Sequence, residues 1–472
     1  MRVHAFTDDA LGDHDAVAVA SLIRSRSVSA GEVARAAAER ARRVDPVLGA
    51  IAFAAFENGP MGPSDAPLGG VPTFIKDNTD VFGMPTAVGS VAFQPKPAPH
   101  SGAVAEQILS TGVRVLGKSR MPEFGFNAST EFETGTPSRN PWDPEFSTGA
   151  SSGGAAALVA AGVVPIAHAN DGAGSIRIPA ACCGLVGLKP SRGRVVPSEH
   201  GSKLPINLVT DGVVTRSVRD TAAYLAAAEQ HWLNPTLPPL GLVRGPAYRP
   251  LRIGLLVESP TGVRTCQQTK ATVLEVAATL ESLGHHIEPA AVPIDTSFVE
   301  DFVDYWGMLA FLVAAGGKFV LDRGFDPARM DGLSKGLRDR YRHAILRTPG
   351  IVHRLGKVRQ TYARLFDQHD LVLSPVLAHV TPRLGHLSPT VPFSELLPRL
   401  LNYVAFTPLN NVAGGPGISL PTGRSREGLP IGVHFSAAHG QERTLIEIGY
   451  ALEQARPWRR IQDEPVERTV AS

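Results

Sequence analysis

Between Ser147 and Pro190 the chain reads STGASSGGAAALVAAGVVPIAHANDGAGSIRIPAACCGLVGLKP, and this stretch restricts the fold more tightly than any other. Glycine and serine cluster at residues 149–154 and again at 172–175, with a small-residue apolar segment between them. Glycine at this density lets backbone approach a ligand closely and turns runs of N–H groups into a concavity. The pattern predicts a tightly packed helix over 155–162 and a short buried strand over 163–167. Serines held by glycine turns at both ends of such a unit suit hydroxyl nucleophile chemistry. The plain alternative is a pair of Gly/Ser turns around a core element.

A family resemblance carried by both clusters decides between these. Gly149-Ala150-Ser151-Ser152-Gly153-Gly154 is followed by Asp171-Gly172-Ala173-Gly174-Ser175-Ile176-Arg177-Ile178-Pro179, and the two together resemble the amidase signature. Members of that family hydrolyse amides with a Ser–cis-Ser–Lys triad. The resemblance implies that Ser175 is the nucleophile and Ser151 the bridging serine. It also implies a lysine upstream in a K-D-N context, which Lys76-Asp77-Asn78 supplies. A cis peptide is implied at Ala150–Ser151. The backbone N–H groups of Gly172, Ala173, Gly174 and Ser175 are implied as the oxyanion hole, and Gly125 with Phe126 as part of the acyl site. Many relatives have glycine where this chain has Ala150 and Ala173. Neither methyl group removes an N–H, so the machinery should survive.

An amide needs a strong nucleophile, a stabilised oxyanion and a protonated leaving nitrogen. A serine hydroxyl is inert without a base. Lysine ordinarily titrates at about 10.4, so Lys76 can act as a base only where burial favours the neutral amine. His168 stands seven residues before Ser175, but on a short apolar strand a packed histidine is the simpler reading. Asp171 and Arg177 flank the nucleophile loop and read as a buried brace.

With 472 residues the chain can bury a full core. A formal net charge of +2 points to neither nucleic acid nor an anionic membrane. Cys182, Cys183 and Cys266 offer no disulfide framework, and no His/Cys/Asp cluster has ligand spacing, so no metal or cofactor is expected. The first fifteen residues carry four aspartates and no apolar run, unlike a signal peptide. The nearly uncharged run 155–167 contains Pro165 and is too short to span a membrane. These features lead us to expect a cytoplasmic enzyme acting on a small-molecule amide, with no integral membrane association and a homodimer left open.

Along the chain, Ser29-Ala30-Gly31-Glu32 is a capping box that should open a helix ended by Pro46. Residues 112–119, GVRVLGKS, match the phosphate-binding loop pattern, but the segment between the glycines is β-like and Pro122 follows too soon for the required helix. Ser217-Val218-Arg219-Asp220 caps another helix. Five prolines between 234 and 250 form a connector between a front and a back half. Residues 335–364 hold nine Lys or Arg and one acid, Asp339, and read as a solvated helical surface. Residues 410–423 and 429–435 resemble the family's closing strands.

Alternating strands and helices imply an α/β fold with a mixed, twisted sheet covered by helices on both faces. The resemblance makes it one large domain over 1–472, with a signature core at about 60–230 and a variable substrate-pocket region at about 291–364. An amidotransferase A subunit, which releases ammonia from glutamine in a tRNA-dependent complex, is the alternative function. Its motif usually reads DTGGSIRQ; here Gly172 replaces the threonine and Ile178 the glutamine.

Overall fold

The computed structural model describes residues 2–198, 201–292, 294 and 297–463. Residues 464–472 of the expected domain, and Pro293, Asp295 and Thr296 of the expected pocket region, lie outside them. The strands are β1 Ile51–Ala54, β2 Pro72–Lys76, β3 Arg114–Ser119, β4 Arg139–Asn140, β5 Asp143–Ser147, β6 Ile166–Asp171, β7 Val186–Lys189, β8 Thr210–Thr215, β9 Arg252–Leu255, β10 His286–Pro289, β11 Leu371–Pro375, β12 Gly417–Arg424 and β13 Pro430–Ala437. Eight of them form one sheet in the order β10-β9-β11-β13-β12-β7-β8-β6. The β10-β9-β11 end is parallel, and every pairing from β11 to β6 is antiparallel. The fold is the mixed α/β sheet that the alternation of elements predicts.

Both faces of this sheet are covered. Ile418 of β12 points at Gly449 in the helix Glu442–Ala455, whereas the next residue, Ser419, faces Gly432 and Ala181 of the helix Arg177–Cys183. Successive strand residues point to opposite faces, so the two helices lie on opposite sides. A Cβ on Gly432 would stand 2.7 Å from that of Ala181, so glycine there lets Arg177–Cys183 settle onto the sheet. Cys182 and Cys183 are buried in that contact layer as small core residues.

A second sheet, β1-β3-β2, lies against the β6 edge. Thr73 Oγ1 of β2 donates to the carbonyl of Ile166 in β6 at 3.0 Å. The helix Gly153–Ala160 packs against strands of both sheets, all eight residues of it buried. Its Gly, Ala, Leu and Val side chains are small enough to fit a helix where no face meets water. The direct contact of β2 with β6 brings the end of β2 beside the end of β6.

Four boundaries differ from the sequence reading, the first being the buried helix, which runs Gly153–Ala160 rather than 155–162. The strand after the buried helix starts at Ile166 rather than Val163, because Pro165 cannot donate to a ladder and the chain pairs only beyond it. The helix opened by Ser29 runs Ala30–Leu48 and passes through Pro46. Pro46 lies in the last turn, and the helix stops at Gly49, left-handed at φ 56°, whose N–H donates to Asp45 O at 2.8 Å. Residues 408–413 form the helix Pro408–Ala413, so the closing strand starts only at Gly417.

The phosphate-loop match falls on β3, and Lys118 is buried with Nζ 3.6 Å from Asp77 and 3.0 Å from Thr86 Oγ1. The basic stretch is the solvated helical surface its composition suggests, with none of its nine Lys and Arg residues buried. It forms the helices Gly332–Arg342 and Thr348–Gln368, and Arg340 and Arg347 both clamp buried Asp304 while Arg354 forks onto Asp301. Both aspartates belong to the helix Phe298–Val320.

Candidate functional site

Lys76 ends β2 fully buried; its Nζ lies within hydrogen-bond distance of Ser151 Oγ, at 2.7 Å, and donates to Asn170 Oδ1 at 2.6 Å. Burial pushes its ammonium down to about 7, although the carboxylates of Asp211 and Asp171 oppose the shift. The Ala150–Ser151 peptide is cis. Ser151 thus meets the lysine from the turn that opens the helix Gly153–Ala160.

Ser175 follows β6 on a loop held by Asp171 and Arg177. The Arg177 guanidinium forks onto Asp171 with two bonds of 2.9 Å, and both side chains are fully buried. Burial alone would raise the Asp171 carboxyl, yet Arg177 beside it holds it well below the usual carboxylate range. Asp171 also accepts the backbone N–H groups of Gly174 at 2.7 Å and Ile176 at 3.2 Å. Asn411 Nδ2 donates to the Asp171 carbonyl at 2.8 Å, and Thr407 Oγ1 to the Ala173 carbonyl at 2.6 Å. The brace read from the sequence is therefore a network reaching the back half of the chain. Thr407 and Asn411 carry no sequence signal beyond ordinary helix-start residues.

Gly174 differs from its expected place. Its N–H is committed to the Asp171 carboxylate, and Gly174 is not among the residues lining the cavity described below. Gly172, Ala173 and Ser175 do line it.

His168 has a partner that sequence reasoning missed. Its Nε2 stands 3.0 Å from Asp211 Oδ1 across the β6–β8 ladder, and its Nδ1 accepts the backbone N–H of Lys76 at 3.1 Å. A backbone N–H can only donate, so the ring proton belongs on Nε2, toward Asp211. Both ring nitrogens are engaged away from Ser175.

One cavity of about 870 Å³ collects Ser151, Ser175, Asn170, Gly172, Ala173 and Gly125. A methyl group on Gly125 would stand 3.1 Å from Ser151 Oγ, so glycine keeps that approach open. The opposite wall is apolar, built from Phe298, Phe302, Trp306 and Leu309 of the helix Phe298–Val320 together with Leu400 and Phe406. Among the described residues no group of His, Cys, Asp and Glu side chains is placed to hold a metal ion. None of the described helices is long and apolar enough to cross a membrane.

The family described as Amidase matches residues 32–446. AmiC of Mycobacterium leprae is 47% identical over 466 residues, covering 98% of this chain and 99% of its own. The 6-aminohexanoate-cyclic-dimer hydrolase of Pseudomonas sp. is 32% identical, covering 94% of this chain and 95% of its own. A solved structure of 6-aminohexanoate cyclic dimer hydrolase complexed with substrate superimposes with a TM-score of 0.83 at 30% identity, over 95% of this chain and 99% of that one.

Proposed function

The chain belongs to the amidase family and hydrolyses carbon–nitrogen amide bonds, and on that premise we propose that Lys76, Ser151 and Ser175 carry the reaction on bulky, apolar amides. The observation that carries this reading is the buried Lys76 Nζ at 2.7 Å from Ser151 Oγ, with Ser151 and Ser175 facing one cavity. Neutral Lys76 takes the proton of Ser151 as Ser151 takes that of Ser175. The Ser175 oxygen bonds to the amide carbon. The N–H groups of Gly172, Ala173 and Ser175 hold the resulting oxyanion; each such donor is worth about 3–4 kcal/mol. The proton returns through Ser151 to the nitrogen, the C–N bond breaks and the amine leaves. Water then attacks the acyl-serine, gives its proton to the same relay and releases the carboxylate.

The cavity lining supports the substrate class. Its aromatic and aliphatic wall stabilises apolar groups by about 25 cal/mol per Å² removed from water. The amidotransferase alternative is not favoured: the relative at 32% identity is a hydrolase by name, and Gly172 and Ile178 stand where that subunit has threonine and glutamine.

A fluorophosphonate probe followed by peptide mapping tests the residue assignment. We expect one adduct, on Ser175, and no labelling or turnover in Ser175→Ala; an adduct on another residue overturns it. A panel running from acetamide to bulky anilides should show kcat/KM rising with apolar bulk, and a preference for acetamide would refute the substrate class.

A further inference from the structure

Strand β6 presents His168 and Asn170 on the same face, two residues apart, and both address Lys76. His168 holds the lysine's main chain, whereas Asn170 Oδ1 takes a hydrogen from Nζ at 2.6 Å. Asn170 also lines the cavity and is nearly buried, and its carbonyl accepts the Ser152 hydroxyl at 3.3 Å. Its backbone is thereby tied to the serine next to Ser151.

A neutral amine has two N–H donors and one lone pair. If Ser151 is to hand over its proton, that lone pair must point at Ser151 Oγ and at nothing else. An amide NH₂ facing Nζ would compete for the lone pair; an amide oxygen cannot, because it only accepts. We propose that Asn170 is a positioning residue whose carboxamide oxygen takes one N–H of Lys76 and so aims the amine lone pair at the Ser151 hydroxyl. This rests on the Ser175–Ser151–Lys76 reading and goes beyond it, since the relay alone assigns Asn170 nothing.

The charged and titratable groups facing Lys76 are Asp171 and His168 from β6 and Asp211 from β8. Exchanging Asn170 for aspartate puts a carboxylate oxygen where the amide oxygen now stands 2.6 Å from Nζ, with almost unchanged shape. A carboxylate at that distance favours the ammonium, so the ascending limb of kcat/KM against pH must move to higher pH. Asn170→Leu removes the acceptor and leaves the lysine free to turn.

The experiment is the pH profile of full-length wild type, Asn170→Asp, Asn170→Leu and Lys76→Ala, read both as amide kcat/KM and as the rate of fluorophosphonate labelling. We expect Asn170→Asp to shift the limb upward by about one pH unit or more. Asn170→Leu should lose about 100-fold in kcat with KM little changed, the usual scale for a small misplacement of a catalytic group. If Asn170→Leu fails to fold, the nearly isosteric Asn170→Asp decides alone. An unmoved limb in Asn170→Asp overturns the positioning role while Lys76→Ala still loses the limb. A Lys76→Ala profile like wild type overturns the relay itself, and the two failures are thereby distinguished.

Discussion

His168 Nδ1 accepts the backbone N–H of Lys76 at 3.1 Å, so the histidine nearest the candidate base is spent on that base's main chain. Its other nitrogen faces Asp211 at 3.0 Å, which gives it the look of a Ser–His–Asp pair without access to a serine. His168→Gln should therefore keep the ascending pH limb while kcat falls about 10- to 100-fold through loosened placement of Lys76. Loss of the limb in that variant, with Lys76 intact, would put the imidazole in the proton path.

The Asp171–Arg177 fork is buried on both sides, so removing one partner strands the other charge. Arg177→Met should destabilise the fold by about 3–5 kcal/mol in urea unfolding and abolish turnover. The double change Arg177→Met with Asp171→Asn should cost less than the sum of the two singles, because it leaves no unpaired ion. Asp171 is held below its free value of about 3.9, so its folded carboxylate binds fewer protons than the unfolded one. The contribution is full above that free value and is lost as pH falls toward the lowered one. An Arg177→Met protein as stable as wild type would refute the brace.

Much of this was legible before any coordinates. The small-residue run between the Gly/Ser clusters predicted the buried helix, and the resemblance to the amidase signature singled out Ser151, Ser175 and Lys76, of which the structure sets Lys76 Nζ 2.7 Å from Ser151 Oγ. Periodicity could not tell that β6 begins after Pro165, since apolar residues run through Val163 and Val164 alike; only the missing N–H of proline decides it. The resemblance implied Gly174 as an oxyanion donor and could not show that the Asp171 carboxylate accepts its N–H, a contact that depends on how the loop after β6 closes. Asn170 was legible in part. Strand alternation pairs it with His168, but which residue meets that face depends on β2 arriving from another sheet, a long-range contact that local pattern does not encode.

The apolar wall offers a specificity test. Trp306 lines the cavity from the helix Phe298–Val320. Trp306→Ala should lower kcat/KM for bulky anilides by about 10- to 100-fold, the range for lost apolar contact in a pocket, and leave acetamide nearly unaffected. Equal losses on both substrates would show that Trp306 supports the fold and not the substrate.

Lys76 also leaves a mark on stability. It titrates at about 7 when folded, against about 10.4 when free, so between those values the unfolded chain binds the extra proton. Stability therefore rises with pH across that window on its account. Lys76→Met has no such group. Its stability minus that of wild type should be largest below neutral pH and shrink by about 4 kcal/mol by pH 10, at about 1.36 kcal/mol per pKa unit. A difference independent of pH would mean that Lys76 titrates near its free value.

The central claim is that a buried, neutral lysine starts the proton relay, and its most direct test is kcat/KM against pH for wild type and Lys76→Ala on a matched anilide and ester. Wild type should rise through an apparent pKa near the folded lysine's value of about 7. Lys76→Ala should lose that limb and fall at least about 100-fold on the anilide. The ester should fall less, because an alkoxide leaves without the proton an amine requires, and the Ser175 hydroxyl with its N–H donors is still in place. A Lys76→Ala enzyme that keeps the wild-type limb, or loses anilide and ester activity equally, would contradict the account.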